Sequence, residues 1–230
     1  MERPRLVVDQ TGLGDYRAIG EAIRASMVPG TLIAVKPGTY REALVIDRDV
    51  EIVGEGDRAQ VVVEATDATA VTVTADRATV RNLTVRAVGT KEKLNAVWVQ
   101  RGRVVIEGCD LTSAIGAVVS ITGKDSAPVI RDCEIRDGQG PGVSVYEQGQ
   151  GTFERCVIAG NAKVGVEIRT GGNPTVRDCE IRGNVFEGVS VHGQGHGIFS
   201  GNTLTGNGRG AWEIAHDAGT VTRTGNRPNG

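Results

Sequence analysis

Short apolar, β-branched runs recur along this chain between glycine-rich and polar corners. From Val129 to Leu204 they read VIRDCEI, TFERCVI, TVRDCEI and GIFSGNTL. Cys133, Cys156 and Cys179 stand 23 residues apart, and Asn202 stands 23 further on. Gly142, Gly165 and Gly188 keep that step, each nine residues after its cysteine and each followed by Val-x-(Val/Ile). A fixed period in the low twenties, with two short β-branched runs per period, predicts a stacked repeat. One such coil cannot bury its apolar face alone, but stacked coils share a continuous core.

Anchored on the cysteines, the repeat aligns Leu83, Cys109, Cys133, Cys156, Cys179, Asn202 and Asn226, at steps of 26, 24, 23, 23, 23 and 24 residues. Val80, Ile106, Ile130, Phe153, Val176 and Phe199 then point inward, as do Val85, Leu111, Ile135, Ile158, Ile181 and Leu204. An insertion at Gly89-Thr90-Lys91-Glu92-Lys93-Leu94 is expected to bulge from one coil. Between the inward positions run two columns that alternate in charge. One is Arg81, Glu107, Arg131, Glu154, Arg177, Ser200; the other is Asn82, Gly108, Asp132, Arg155, Asp178, Gly201. Neighbouring rungs lie about 4.8 Å apart, so opposite charges pair. Each exposed pair contributes at most ~1 kcal/mol, but the alternation also sets register. Asn161, Asn184 and Asn207, each preceded by glycine, predict an asparagine ladder at a turn.

The N-terminal part departs from the repeat. Leu6 to Val8 reads as a strand and Thr11 to Gly14 as a turn. Asp15 is placed to N-cap a helix from Tyr16 to about Met27, with an apolar stripe of Ile19, Ala22, Ile23 and Met27. Such a helix is expected to cover the open end of the core. Pro29-Gly30 ends it, and short strands follow at Thr31–Val35, Ala43–Ile46, Val50–Val53, Val61–Val63, Ala70–Thr74 and Thr79–Val85.

Composition agrees with narrow coils: aromatic residues are 3% and glycines number 33 of 230. Net charge is −2 and the isoelectric point is about 6.0. No basic excess points to nucleic acid or an anionic membrane. The start of the chain has no apolar signal-peptide core, and no apolar run approaches the ~18 residues of a membrane span. A cytoplasmic location is the expectation. All four cysteines belong to the repeat, and in-register strands hold them farther apart than a disulfide allows. They read as free, buried thiols that act as small hydrophobes. No metal site and no cofactor is expected.

A resemblance becomes visible at this point. Gly14-Asp15-Tyr16-Arg17-Ala18-Ile19-Gly20-Glu21-Ala22-Ile23, then Val35-Lys36-Pro37-Gly38-Thr39-Tyr40-Arg41-Glu42, then Glu51-Ile52-Val53-Gly54-Glu55-Gly56 resemble the opening of pectin methylesterases. Those enzymes are right-handed parallel β-helices of the pectin-lyase-like superfamily. The rest of the chain resembles the generic repeats of that superfamily, including repeat domains fused to other bacterial modules. The expected fold is therefore all-β: a single-stranded right-handed parallel β-helix, or solenoid, with a short N-terminal capping α-helix. It is expected to form one domain over residues 1–230, with the N-terminal strand and helix in 1–30 and coils of about 23 residues in 31–230.

Activity does not follow from the resemblance. Pectin methylesterases use two Asp and an Arg, with Gln donors at the oxyanion site. The segment corresponding to the first Asp reads Ser113-Ala114-Ile115-Gly116-Ala117, and that of the second reads Gly142-Val143-Ser144-Val145-Tyr146. Without either Asp, nucleophile and proton donor are both missing. Gly195-His196-Gly197 resembles a polygalacturonase motif, but no paired acids stand one coil earlier. His216-Asp217 reads as a turn.

The outward positions of the Gly-Val-x-Val-x strand differ from the charge ladder. They read Trp98, Ser120, Ser144, Glu167, Ser190, Glu213 and Gln100, Thr122, Tyr146, Arg169, His192, Ala215. Such types stack on sugars and hydrogen-bond hydroxyls. Trp98, Gln100, Tyr146, Glu167, Arg169, His192 and Glu213 are the candidate ligand-binding residues. Two classes of function fit. One is a non-catalytic module, part of a larger bacterial protein, that binds an extended glycan or protein segment. The other is a carbohydrate-active hydrolase, lyase or epimerase that uses Glu167, Arg169 and His192, with Tyr146 beside them. Thr220 to Gly230 reads as a partial coil without an amphipathic cap, so a homo-oligomer or a fused domain is expected at that end.

Overall fold

The computed structural model describes residues 3–91 and 94–229. Glu92 and Lys93, inside the expected bulge, lie outside the described residues, as do Met1, Glu2 and Gly230. The chain winds into a parallel solenoid of three sheets with ten, nine and eight strands. Each coil contributes three strands, one to each sheet, where the sequence pattern showed two runs. A representative coil runs through Val129–Arg131 in the first sheet, Glu134–Arg136 in the second and Val143–Tyr146 in the third.

The uncounted strand has a physical cause. Each VIRDCEI-type run turns a corner in its middle, where Asn82, Asp132, Arg155 and Asp178 adopt φ of 55°, 55°, 49° and 54°. Gly108 and Gly201 occupy the same column with φ of 62° and 67°. This second "charge" column is thus a left-handed bend, for which Gly, Asn and Asp are suited. Arg155 is the exception there. Its guanidinium donates two 2.8 Å hydrogen bonds to the Asp132 carboxylate, and these hold Asp132 below the usual carboxylate range.

The first charge column forms the expected ladder. Arg81 bridges Glu51 at 2.8 Å and Glu107 at 2.9 Å, Arg131 reaches Glu107 at 3.2 Å, and Arg177 pairs with Glu154.

Both predicted inward columns are buried throughout. The four cysteines are free and buried, and they do more than fill space. The backbone N–H of Cys109 donates to Cys133 Sγ, and that of Cys156 to Cys179 Sγ, each at 3.4 Å. One coil on, Cys179 N–H donates to Asn202 Oδ1 at 2.9 Å, and Asn202 N–H to Asn226 Oδ1 at 3.0 Å. Sulfur and amide oxygen fill the same acceptor slot. Hydrogen bonding with Cys109 and Cys156, and then burial, push the Cys133 thiol well up.

The asparagine ladder stands as expected. Asn161 Nδ2 donates to Asn184 Oδ1, and Asn184 Nδ2 to Asn207 Oδ1, both at 2.9 Å. It also explains the glycine step. A Cβ on Gly142 would come within 2.7 Å of Asn161 Nδ2, and one on Gly165 within 2.8 Å of Asn184 Nδ2.

The capping helix is shorter than the sequence suggests, spanning Ile19–Ala25. Asp15 does not cap it; its carboxylate accepts from Val7 N–H at 2.7 Å. The first helical N–H groups, those of Ile19 and Gly20, donate instead to the Glu42 carboxylate at 2.7 and 2.9 Å. An anion from the first coil thus satisfies the helix N-terminus. Ile19, Ala22 and Ile23 are buried against the strands Arg5–Val8, Thr31–Val35 and Leu44–Ile46. Met27, expected on that stripe, lies beyond the helix and is 84% exposed.

In the last described coil, inward positions carry unusual residues. Trp212 is in register with Val189, Arg223 with Phe199, and Pro228 with Leu204. Trp212 packs edge-on to Phe199 with ring centroids 5.1 Å apart, and the Arg223 guanidinium lies 5.3 Å from the Trp212 ring centre. No helix among the described residues is long and apolar enough to cross a membrane.

Candidate functional site

The third sheet presents the candidate face. Its inward residues, such as Val143, Val145, Val166, Ile168, Val189 and Val191, are buried and anchor the strands. With a two-residue period, the residues between them face outward. Ladder register places Trp98, Ser120, Ser144, Glu167, Ser190 and Glu213 in one column, on successive rungs. Each strand ends in a tight turn with left-handed residues: Glu147-Gln148, Thr170-Gly171 and Gly193-Gln194, at φ between 50° and 72°. Thr170, β-branched at φ of 50°, holds the most demanding of these.

Four of the predicted residues come together. Arg169 Nε lies 3.5 Å from Glu167 Oε2, and His192 Nε2 lies 4.0 Å from Glu167 Oε1. The Arg169 guanidinium sits over the Tyr146 ring, 4.1 Å from its centre. That ring face is therefore covered by protein and is not open for stacking on a sugar. Burial pushes the Tyr146 phenol up; Arg169 opposes this, and Glu147 and Glu167 add to it.

The others stand apart along the axis. Trp98 is three rungs before Glu167, and its indole N–H donates to Thr122 Oγ1 at 3.2 Å. Gln100 follows the Trp98 strand, and its backbone N–H donates to the Val73 carbonyl at 3.0 Å. Glu213 is two rungs beyond Glu167.

The serines of this column, which are not among the candidate residues, engage the carboxylates. Ser144 donates to Glu167 Oε2 at 2.8 Å, and Ser190 donates to Glu213 Oε2 at 2.6 Å. The 46-residue interval between Ser144 and Ser190, matched by that between Glu167 and Glu213, was the available signal. Ser120 donates to Asn95 Oδ1 at 2.9 Å, tying the segment after the insertion to the sheet.

Other sequence candidates are engaged in structure. His196 Nδ1 accepts from Thr220 N–H at 2.9 Å. The Asp217 carboxylate accepts from Gly193 N–H at 3.1 Å. The Ser113 hydroxyl, in the segment compared with the esterases, donates to the Leu94 carbonyl at 2.8 Å. No group of three or more His, Cys, Asp or Glu is arranged to hold a metal ion among the described residues.

Residues 69–227 match the family model described as "Right handed beta helix region". Among solved structures, the deglycosylated pectin methylesterase of Aspergillus niger superposes with a TM-score of 0.76 at 19% identity, covering 99% of this chain and 88% of that one. Escherichia coli YbhC gives 0.74 at 11% identity, covering 99% and 85%. A pectin methylesterase variant in complex with a hexasaccharide gives 0.68 at 16% identity, covering 93% and 82%. At these identities the likeness is one of fold.

Proposed function

The chain belongs to the right-handed β-helix family, and from that premise we propose that it is a non-catalytic recognition module, binding an extended glycan along the outer face of the third sheet. One observation carries the reading. The first sheet's charge column is closed by ion pairs running from rung to rung, whereas the third sheet's columns mix Trp98, serines, Glu167, Arg169, His192 and Glu213. Aromatic, hydroxyl and carboxylate groups set in line on a rigid sheet suit a ligand that runs along the helix axis. The hexasaccharide held by a protein of the same fold favours an oligosaccharide over a protein segment as that ligand.

A second reading has its own support. Glu167 with His192 Nε2 at 4.0 Å and Arg169 at 3.5 Å is a grouping that proton transfer on a glycan would use.

Titration of the 230-residue chain with an oligosaccharide panel, run beside reducing-sugar and unsaturated-product assays, separates the two. Binding without turnover, lost in Trp98→Ala, is the expected result. Turnover that disappears in Glu167→Gln would replace the module by a hydrolase, lyase or epimerase.

A further inference from the structure

Glu167 and Glu213 share one outward column, with Ser190 in register between them. Each carboxylate is held the same way, through its Oε2, by the hydroxyl of the serine one rung before it. Ser144 and Ser190 are themselves buried in the sheet surface. A serine–glutamate pair thus repeats every second rung, roughly 10 Å along the axis. Trp98 stands in the same column, three rungs before Glu167.

The charges around this column decide what it accepts. Glu213 is exposed, and among the described residues it makes no ion pair. The Arg169 guanidinium is taken up by Glu167 and the Tyr146 ring. On the turns leading into the strands, the Arg209 guanidinium lies 3.8 Å from the Phe186 ring centre and Lys163 is exposed. On the turns leaving the strands, Arg101 is paired with Asp76 at 2.7 Å, and the exposed Lys124 is outnumbered by the exposed Asp125, Glu147 and Asp217. The column therefore offers anionic hydrogen-bond acceptors and few uncommitted cations.

We infer that this column selects a neutral, hydroxyl-rich glycan and rejects polyuronates; the inference rests on the binding face proposed above. Sugar hydroxyls two rungs apart donate to Glu167 and Glu213. These are charge-assisted bonds, shorter and stronger than neutral ones. Each serine keeps its carboxylate fixed, so little rotamer freedom remains to be lost on binding. A chain of uronic acids laid on the same track would set carboxylate against carboxylate, an arrangement that discriminates by repulsion. Trp98 supplies the apolar end of the track.

The test is calorimetric titration with cellohexaose, xylohexaose, mannohexaose and hexagalacturonate, at low and high salt. At least one neutral hexasaccharide is expected to bind, with little dependence on salt, and hexagalacturonate is expected not to bind. Glu213→Gln should weaken the neutral ligand about tenfold, and Glu167→Gln by a similar factor. Glu213 is exposed and has one hydrogen-bond partner among the described residues, so its variant should keep the wild-type melting curve. Hexagalacturonate binding as well as or better than the neutral sugars would overturn the inference. So would neutral binding that is lost in Trp98→Ala but indifferent to both Gln substitutions, an outcome that leaves the binding face standing. Absence of binding by every oligosaccharide would remove both the face and the selectivity.

Discussion

The first and third sheets are built by the same rule, with β-branched residues inward and alternate residues outward, yet their outer faces behave differently. On the first sheet, Glu51, Arg81, Glu107 and Arg131 form a continuous chain of ion pairs that runs from rung to rung. On the third sheet, Glu167 is flanked by Ser144, Arg169 and His192, whereas Glu213 is held only by Ser190 among the described residues. A solenoid repeats its backbone but not its chemistry. A column that satisfies itself stabilises the stack, and one that does not is free to recognise something else. The difference lies in residue type on equivalent positions and not in fold.

The comparison can be broken most forcefully at the buried asparagine ladder, which lines the turn leading into the third sheet. Asn184→Ala removes the acceptor for Asn161 N–H and Nδ2 and leaves those buried donors unmatched. We expect a loss of about 3 kcal/mol in denaturant unfolding, with the glycan affinity of the remaining folded fraction unchanged. A larger loss of affinity than of stability would mean the third sheet is not a rigid platform. Next comes Trp98→Ala, expected to weaken binding about tenfold or more, since the stacking surface is lost. Its melting temperature should also fall, because the partly buried ring and its hydrogen bond to Thr122 are lost.

Glu107→Gln tests the opposite face. Two arginines lose their shared partner, but the groups are about one-third exposed, so the expected cost is ~1 kcal/mol or less, with no effect on binding. An affinity change in this variant would erase the distinction between the sheets. The smallest effect expected is at Asp132. Arg155 depresses its folded-state pKa, so its stabilising contribution is present above the unfolded value of about 3.8 and fades as pH falls below it through the folded value. Asp132→Asn should remove that slight acid sensitivity in melting curves taken between about pH 5 and 2. A slope unchanged from wild type would show that the bend's ion pair contributes nothing.

Much of this molecule was legible in its sequence, for reasons that differ by residue. The cysteine step and the two inward columns followed from periodicity, because burial demands apolar residues at fixed intervals. The third strand of each coil stayed hidden because the corner inside VIRDCEI is made by Asp132, Arg155 or Asp178. None of these marks a turn the way glycine does; Gly108 and Gly201 were the clue in the same column. The helix cap was misplaced because Glu42, 23 residues from Ile19, reaches a site that Asp15 occupies only in sequence. At the candidate face, register followed from spacing, so the neighbours of Glu167 were correct. That Arg169 would cover the Tyr146 ring depends on side-chain direction across rungs, which spacing does not encode.

The side-chain ladders have a direction. Backbone N–H groups of Gly138, Asn161 and Asn184 donate to the asparagine of the following coil, and those of Cys156, Cys179 and Asn202 do the same toward sulfur or amide oxygen. The asparagine amides of those later coils also reach back to carbonyls, as Asn184 does to Ile158 and Asn202 to Val176. Each coil is thus clasped by its successor, like shingles laid one over the next. Peeling a coil from the C-terminal side strands buried donors in the coil before it. Peeling one from the N-terminal side leaves the remaining clasp with an unused oxygen and one amide N–H without its carbonyl, but strands no backbone N–H of the ladder. The stack is therefore a ratchet with unequal ends, and mechanical pulling from its two termini should meet different resistance.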